Sequence, residues 1–174
     1  MKKIFSLLLV TTVILSGCST IQSIVRSTFP YTATLIIPAS AKTGTTHSAT
    51  SAASSIDQIF KGEGNANARV EQMRITSARL ESVNPAGQSL GAFQSVKIYL
   101  SSGDNAGEVL VASRNDISAG TGNNLVLDVD NSRFLDEYLK GSGIRVRMEY
   151  VLRNQLGGDV SVRTALSFSS APAQ

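Results

Sequence analysis

Apolar and polar residues alternate along much of this chain, as they do in β-strands with one buried face. The alternation is clearest over residues 96–100 and 125–129, where every second residue is apolar. Segments rich in Gly, Asn and Ser, such as 103–107 and 118–124, separate the apolar stretches and have the composition of turns. From about Val70 onward the period of two dominates, so the sequence predicts a protein built mainly of β-strands.

One predicted strand, over residues 73–83, changes phase along its length. Met73 and Ile75 are apolar at odd positions, whereas Ala78 and Leu80 are apolar at even positions. A β-bulge adds one residue to a strand and so returns both pairs to the same face of a sheet. We therefore expect a bulge within this strand.

Two long alternating segments lie near the end of the chain, over residues 144–152 and 160–168. Their apolar positions have matching phase, which predicts an antiparallel hairpin closed by a loop over 154–158. We expect the register that sets Glu149 opposite Arg163, because each cross-strand pair of opposite charges contributes about 0.2–1 kcal/mol.

Three other segments interrupt the strands. Residues 39–55 are nearly all Ala, Ser, Thr and Gly, and this low-complexity composition predicts a loop or a polar edge strand. Ser55 is suited to cap a helical turn that ends near Gly62. A second short helix, capped by Asn131 or Ser132, is expected to bridge two sheets. Its apolar stripe consists of Phe134, Leu135, Tyr138 and Leu139.

Seven or eight short strands with turns every 8–12 residues are typical of an all-β antiparallel β-sandwich, immunoglobulin-like in architecture, with one or two short helices. The Cys and Trp residues that mark true immunoglobulin domains are missing, so the comparison concerns architecture only. A small β-barrel is the alternative. We expect a single β-sandwich domain over residues 31–174.

The N-terminus has the layout of a signal peptide. Lys2 and Lys3 precede an apolar run over residues 4–15, and small residues follow it. This run is shorter than the roughly 20 residues of a membrane-spanning helix. A plain secretory signal would leave Cys18, the chain's only cysteine, as an unpaired thiol in an oxidising compartment.

The segment Leu15-Ser16-Gly17-Cys18 resembles the lipobox of bacterial lipoproteins. The resemblance covers only these N-terminal residues and implies that residues 1–17 are removed. Cys18 would then carry a diacylglycerol on its thiol and an N-acyl chain such as palmitate on its amine, with residues 18–30 as a lipidated tether. Ser19, which is not Asp, implies an outer-membrane location in the bacterial cell envelope. No family resemblance appears in the globular domain.

The charge of the chain does not point to nucleic acid. The formal charge of +3 falls to +1 once Lys2 and Lys3 are removed with the signal peptide. So small a net charge provides little general attraction to nucleic acids or anionic lipids. We expect no nucleic-acid partner and, apart from the lipid on Cys18, no cofactor.

Two motifs resemble catalytic or ligand-binding patterns but have simpler explanations. Residues 87–91 match the G-x-S-x-G nucleophile elbow of α/β-hydrolases, yet a Pro-containing turn precedes them and no histidine follows. We interpret them as a plain turn. His47 lies in the low-complexity segment without a nearby acidic residue, and we expect it to be exposed to solvent.

Oxygen-bearing side chains at Asp128, Asp130 and Asn131 are of the type that calcium prefers. However, the EF-hand spacing is absent, and strand alternation already accounts for outward-facing acids at 128 and 130. We therefore predict no metal site.

Four arginines of the predicted terminal hairpin form a candidate anion-binding patch, since guanidinium groups bind phosphates and carboxylates bidentately. Glu149 and Asp159 would add negative charges to this patch, and an ordinary solvated sheet surface is the alternative. The four residues are Arg145, Arg147, Arg153 and Arg163.

The sequence therefore favours a lipid-anchored envelope protein with a non-enzymatic binding or structural role, whose partner is an envelope protein or a polysaccharide. The alternative is a carboxylate-dependent hydrolase acting on envelope or extracellular polysaccharide through two acidic residues across a cleft. Oligomeric state stays open at this stage. The acids available for such an enzyme are Asp116, Asp128, Asp130, Asp136 and Glu137.

Overall fold

The structure, a computed structural model, describes residues 27–52, 70–102, 107–139 and 143–172. The described residues contain nine strands, a single turn of 3-10 helix and one short α-helix. The strands are β1 (Ser27–Ile37), β2 (Thr46–Thr50), β3 (Val70–Asn84), β4 (Phe93–Ser102), β5 (Glu108–Arg114), β6 (Asn124–Val126), β7 (Asp128–Val129), β8 (Ile144–Leu152) and β9 (Val160–Pro172). The 3-10 turn covers Leu90–Ala92, and the α-helix, α1, covers Asp136–Leu139.

The strands form two sheets. The first sheet has the order β1-β9-β3-β6, and the second has the order β2-β8-β4-β5-β7. All neighbouring strands within each sheet are antiparallel. The sheets do not close into a barrel. The predicted all-β antiparallel sandwich is therefore confirmed, and the alternative of a small barrel is wrong.

Alternation along each strand creates the core between the sheets. In β1, Tyr31, Ala33 and Leu35 are buried whereas Thr32 and Thr34 are exposed. The same rule applies to the second sheet, where the buried residues of β4 and β8 face the first sheet. These buried residues are Val96, Ile98, Leu100, Ile144, Val146, Met148, Tyr150 and Leu152.

The predicted terminal hairpin is wrong, because β8 and β9 belong to different sheets. Glu149 lies beside Lys97 of β4, and Arg163 lies beside Glu81 of β3. Matching apolar phases are satisfied equally well by two strands that face each other across a core, and packed sheets are only about 10 Å apart. The loop between β8 and β9 therefore crosses from one sheet to the other, and Leu156 of this loop is buried.

The alternating segment 125–129 also contributes to both sheets instead of forming the single strand that we expected. Leu125 in β6 pairs with Leu80 of the first sheet, whereas Val129 in β7 pairs with Ala112 of the second. Leu127, between the two strands, is buried and donates its amide hydrogen to the carbonyl of Ala78. The chain thus closes one flank of the sandwich at this point.

The bulge predicted in β3 is confirmed. Its register against β9 shifts between Ile75 and Ser77, and Ile75 and Ala78 are consequently both buried. A second shift lies between Glu71 and Arg74, where Gln72 has a positive φ of 56°.

The low-complexity segment contains β2, which pairs only with β8 at the edge of the second sheet. The prediction of a polar edge strand is therefore confirmed for residues 46–50. The helical turn predicted from Ser55 to Gly62 lies outside the described residues.

The predicted bridging helix is shorter than expected and begins at Asp136, well after Asn131 and Ser132, the two caps that we predicted. Leu135, just before the helix, donates its amide hydrogen to the carbonyl of Met73 at 2.8 Å. Asp136 accepts a hydrogen bond from the Met73 amide at 3.1 Å. The helix also contacts β4 as well as β3, so it does join the two sheets.

The two ends of the sandwich differ. Strand pairing places the start of β1, the start of β3 and the end of β9 together, and we call this the N-terminal end. The hydroxyl of Tyr31 in β1 donates to the carbonyl of Ile144 at the start of β8, so β8 also begins there. Residues 38–45, 85–92, 115–123 and 153–159 lie at the opposite end, which we call the loop end.

Thr164 is fully buried, and its hydroxyl has no hydrogen-bond partner within the described part of the chain. We expect Thr164→Val to raise the free energy of unfolding by about 1 kcal/mol, because burying an unpaired hydroxyl is unfavourable and valine has a similar shape. Urea unfolding measures the change. The matched control is Thr34→Val on the exposed face of β1, which should shift stability by less than about 0.5 kcal/mol. Destabilisation by Thr164→Val would contradict this expectation.

Candidate functional site

The outer surface of the second sheet carries a row of charged side chains. Lys97 and Tyr99 project outward from β4, and Arg147 and Glu149 project outward from β8, because their neighbours in each strand point into the core. The register places Lys97 beside Glu149 and Tyr99 beside Arg147. We call these four residues together with Glu108 of β5 the charged face.

Arg147 is at the centre of the charged face. Its Nε donates to Oε1 of Glu108 at 2.8 Å, and its Nη2 donates to Oε2 at 2.7 Å. Its guanidinium carbon lies 4.2 Å from the ring centroid of Tyr99, a cation–π distance. The bidentate ion pair and the aromatic ring together hold the arginine in one orientation.

Glu149, two residues further along β8, extends the row towards the loop end. One of its oxygens lies 3.6 Å from Nη1 of Arg147, and the other accepts a hydrogen bond from Nζ of Lys97 at 3.1 Å. The charges therefore alternate in sign from Lys97 through Glu149 and Arg147 to Glu108. Such a row has little net field, and its arginine is already occupied by carboxylates of the same chain.

The pKa values of these groups follow their partners. The hydrogen bonds from Arg147 lower the pKa of the Glu108 carboxyl, and the same pair raises the pKa of Arg147. The hydrogen bond to Glu149 raises the pKa of Lys97. All three shifts favour the charged forms of Glu108, Arg147 and Lys97.

The four arginines of the predicted anion-binding patch do not gather on one surface. Arg145 and Arg147 lie on β8 in the second sheet, whereas Arg163 lies on β9 in the first sheet, where its Nη1 is 3.2 Å from Oε2 of Glu81. The reason is the crossing between β8 and β9, which separates side chains that a hairpin would have brought together. Arg153 lies elsewhere again, at the loop end.

Arg153 fastens two segments of the loop end to the end of β8. Its Nη1 donates to the carbonyl of Gly91 at 3.0 Å, and its Nη2 donates to the carbonyl of Ile117 at 2.6 Å. Its backbone amide also donates to the carbonyl of Ala92 at 2.7 Å. The side chain is half-buried, so we assign Arg153 a structural role that the sequence pattern did not reveal.

The G-x-S-x-G segment is a turn, as we expected. Ser89 caps the 3-10 turn by accepting from the amide of Gly91 at 3.0 Å, and its hydroxyl donates to the carbonyl of Thr121 at 2.5 Å. A side chain at Gly91 would overlap the carbonyl of Ala119, so glycine is required for the close approach of two loops. Both features serve packing at the loop end.

His47 is more enclosed than predicted. It is half-buried, and its ring stacks on Tyr150 with centroids 5.6 Å apart. Its Nε2 lies 2.9 Å from both the Thr45 hydroxyl and the Lys42 carbonyl oxygen. We expected a solvent-exposed histidine, and the ring is instead partly covered, because alternation in β2 directs residue 47 towards the inner side, beside Tyr150.

Asp128 and Asp130, two of the acidic residues considered for calcium or for hydrolysis, have partners of their own. Asp128 accepts two hydrogen bonds from Nη1 of Arg114, both at 3.2 Å. Asp130 accepts from the amide of Ser132 at 3.0 Å, and hydrogen bonds from Ser132 lower the pKa of its carboxyl. Within the described ranges, no group of three or more His, Cys, Asp and Glu side chains is placed to hold a metal ion.

A shallow, open depression of about 220 Å³ lies where β4, β5 and β8 meet at the N-terminal end. Arg145 and Glu108 line the depression. The carboxylate of Glu108 is already bound by Arg147. The remaining lining residues are Ser101, Ser102 and Gly107. The depression is therefore lined by one carboxylate, which is ion-paired, whereas the hydrolase hypothesis requires two carboxylates across a cleft.

Cys18, the predicted site of lipid attachment, lies outside the described residues. Among the helices that the structure describes, none has the length and apolar character needed to cross a bilayer. Comparison with protein-family models and with curated proteins finds no match for this chain.

We expect Arg153→Met to lower the free energy of unfolding by about 1.5–3 kcal/mol, because it leaves the carbonyls of Gly91 and Ile117 without their charged donor. Chemical unfolding measures this change. The matched control is Arg163→Met, which removes a partly exposed ion pair and should cost less than about 1 kcal/mol. Equal effects of the two substitutions would contradict the role assigned to Arg153.

The pair of Arg147 and Glu108 should weaken in acid. The folded-state pKa of Glu108 lies below its ordinary value of 4.5, so its contribution to stability is complete above that value and is lost as the pH falls through the lowered pKa. The difference in unfolding free energy between the wild type and Glu108→Gln should therefore shrink from about pH 6 to about pH 3. Urea titrations across this range measure it. A difference that grows in acid would show that Arg147 does not stabilise the charged carboxylate.

Proposed function

We propose that this protein is a lipid-anchored component of the bacterial cell envelope with a non-enzymatic binding or structural role. The observation that carries the proposal is the segment Leu15-Ser16-Gly17-Cys18 directly after an apolar run. Acylation of Cys18 would attach the chain to a membrane through two or three acyl chains, which hold far more firmly than one.

The position of the sandwich supports this assignment. Strand β1 begins at Ser27, nine residues after Cys18, so the folded body follows the proposed lipid site after a short connection. Its core is buried between two sheets, and its outer faces carry Thr, Ser and charged side chains. A body of this kind is stable in water, and a separate anchor is the means by which it would be held at a bilayer.

The engagement of polar side chains supports a non-enzymatic role. The serine of the G-x-S-x-G segment is committed to a cap and to the Thr121 carbonyl. Asp128, Asp130 and Asp136 bind Arg114, the Ser132 amide and the Met73 amide. These groups stabilise local structure, whereas a catalytic pair of carboxylates has to be free to face a substrate.

The partner is proposed to be an envelope protein or a polysaccharide. The loop end is separated from the start of β1 by the length of the strands, so it would project away from a membrane that holds the N-terminal end. Ser19 in place of Asp favours the outer membrane as the destination.

We expect the intact mass of the protein purified from membranes to equal the chain from Cys18 onward plus its acyl lipid. Cys18→Ser removes the thiol that forms the thioether, so the variant should lack the lipid mass and leave the outer-membrane fraction. Ser23→Ala is the matched control and should keep both the lipid and the location. A wild-type mass without lipid, or an unchanged distribution of Cys18→Ser, would contradict the proposal.

Sorting provides a separate expectation. Ser19→Asp should keep the lipid on Cys18 but move the protein from the outer to the inner membrane when it is made in a bacterium with two membranes. Density-gradient separation of the two membranes measures the shift. Retention of Ser19→Asp in the outer membrane would contradict the assigned destination and leave the lipid anchor intact.

A further inference from the structure

An aromatic ring is exposed at the N-terminal end of the sandwich. Phe134, just before α1, keeps 46% of its surface accessible. The guanidinium carbon of Arg74 lies 4.0 Å from its ring centroid, and Nη1 of Arg74 donates to the carbonyl of Asn131 at 2.5 Å. The ring is therefore held in place from one side by a cation, while a little under half of its surface faces solvent.

The ring lies close to the point where the chain arrives from Cys18. Arg74 pairs with Ser169, and Ser169 pairs with Thr28 near the start of β1. Two strand spacings of about 4.8 Å separate Arg74 from Thr28, so the backbone positions are about 10 Å apart. Ser27 is nine residue steps after Cys18, and nine steps of extended chain reach about 30 Å at most. A lipid on Cys18 therefore keeps this end within reach of a bilayer.

The other large exposed hydrophobic residues of the described chain lie elsewhere. Ile36, with 63% of its surface accessible, lies near the end of β1, at the loop end of the sandwich. It is eight residues beyond Thr28 and about 26 Å further along the strand. Val126 is in β6 at the flank of the first sheet. Within the described ranges, Phe134 is thus the large hydrophobic residue exposed at the N-terminal end.

Among the residues that the structure describes, the charges around the ring do not form a basic patch. Arg74 and the exposed Arg133 are accompanied by the exposed carboxylates of Glu71 and Glu137. The described part of this surface is thus mixed in charge and gives no particular reason to expect attraction to anionic lipid. An aromatic ring beside an arginine suits the boundary between headgroups and acyl chains, where the ring enters the apolar side and the guanidinium stays with the headgroups.

We propose that Phe134 and Arg74 form a membrane-contact surface that enters the lipid interface and sets the sandwich upright, with its loop end directed away from the bilayer. This inference rests on the proposed lipid anchor at Cys18. The anchor confines the body to a small volume above the bilayer, so a contact too weak to recruit a free protein can still determine its orientation.

The chain contains no tryptophan, so a single introduced Trp reports its own surroundings. We would reconstitute the full lipidated Phe134→Trp protein in zwitterionic phosphatidylcholine vesicles, with and without bromine on the acyl chains. The Trp emission should shift to the blue on reconstitution and be quenched by the brominated lipid. The matched control is Ile36→Trp, which should keep a water-like emission and be quenched several-fold less.

The possible results distinguish a failure of the membrane contact at Phe134 from a failure of the proposed lipid anchor at Cys18. The intact mass is measured first, and absence of the lipid would overturn both the anchor and the inference. With the lipid present, a water-like emission from the Trp at position 134, or equal quenching at positions 134 and 36, would overturn the membrane contact and leave the lipid anchor intact. Thermal unfolding verifies that each variant is folded. If Phe134→Trp does not fold, Arg133→Trp places the same reporter at the adjacent exposed position and is judged by the same outcomes.

Discussion

The chain crosses from one sheet to the other between β8 and β9, and the rest of the architecture depends on this crossing. Each of the two strands is central in its own sheet, β8 between β2 and β4 and β9 between β1 and β3. The apolar residues of both strands lie in the core between the two sheets, so each sheet needs the other to bury its apolar side. The crossing also decides which charged residues share a surface. Arg147 meets Glu108 on the second sheet, and Arg163 meets Glu81 on the first.

Much of the fold could be predicted because alternation is a local property. The strands, the bulge in β3 and the polar edge strand β2 each follow from residues that are near one another in sequence. The partner of a strand is not a local property. Two successive strands with matching apolar phases can pair side by side in one sheet or face each other from two sheets. The pairing that we predicted from Glu149 and Arg163 was wrong because each of these residues has an oppositely charged neighbour in another strand. The same ambiguity explains why the alternation over residues 125–129 hid a transition between sheets at Leu127.

The candidate sites illustrate the same limit. Arg153 binds carbonyls at Gly91 and Ile117, which lie 62 and 36 residues away in sequence, so no spacing rule could have found them. The surroundings of His47 likewise depend on its stacking against Tyr150 from a neighbouring strand. By contrast, the proposed lipid site at Cys18 is a linear motif that is recognised in an extended chain. It is therefore the proposed functional feature that can be predicted most directly from the sequence. The membrane contact proposed at Phe134 depends on that motif.

Nuclear Overhauser effects between backbone protons of neighbouring strands test the crossing most directly. Thr164 of β9 lies beside Ala33 on one side and Leu80 on the other. The account predicts contacts from Thr164 to both of these residues and from Glu149 to Ser48 and Lys97. A backbone contact between Glu149 and Arg163 would mean that β8 and β9 form a hairpin. It would contradict the two-sheet arrangement and every surface derived from it.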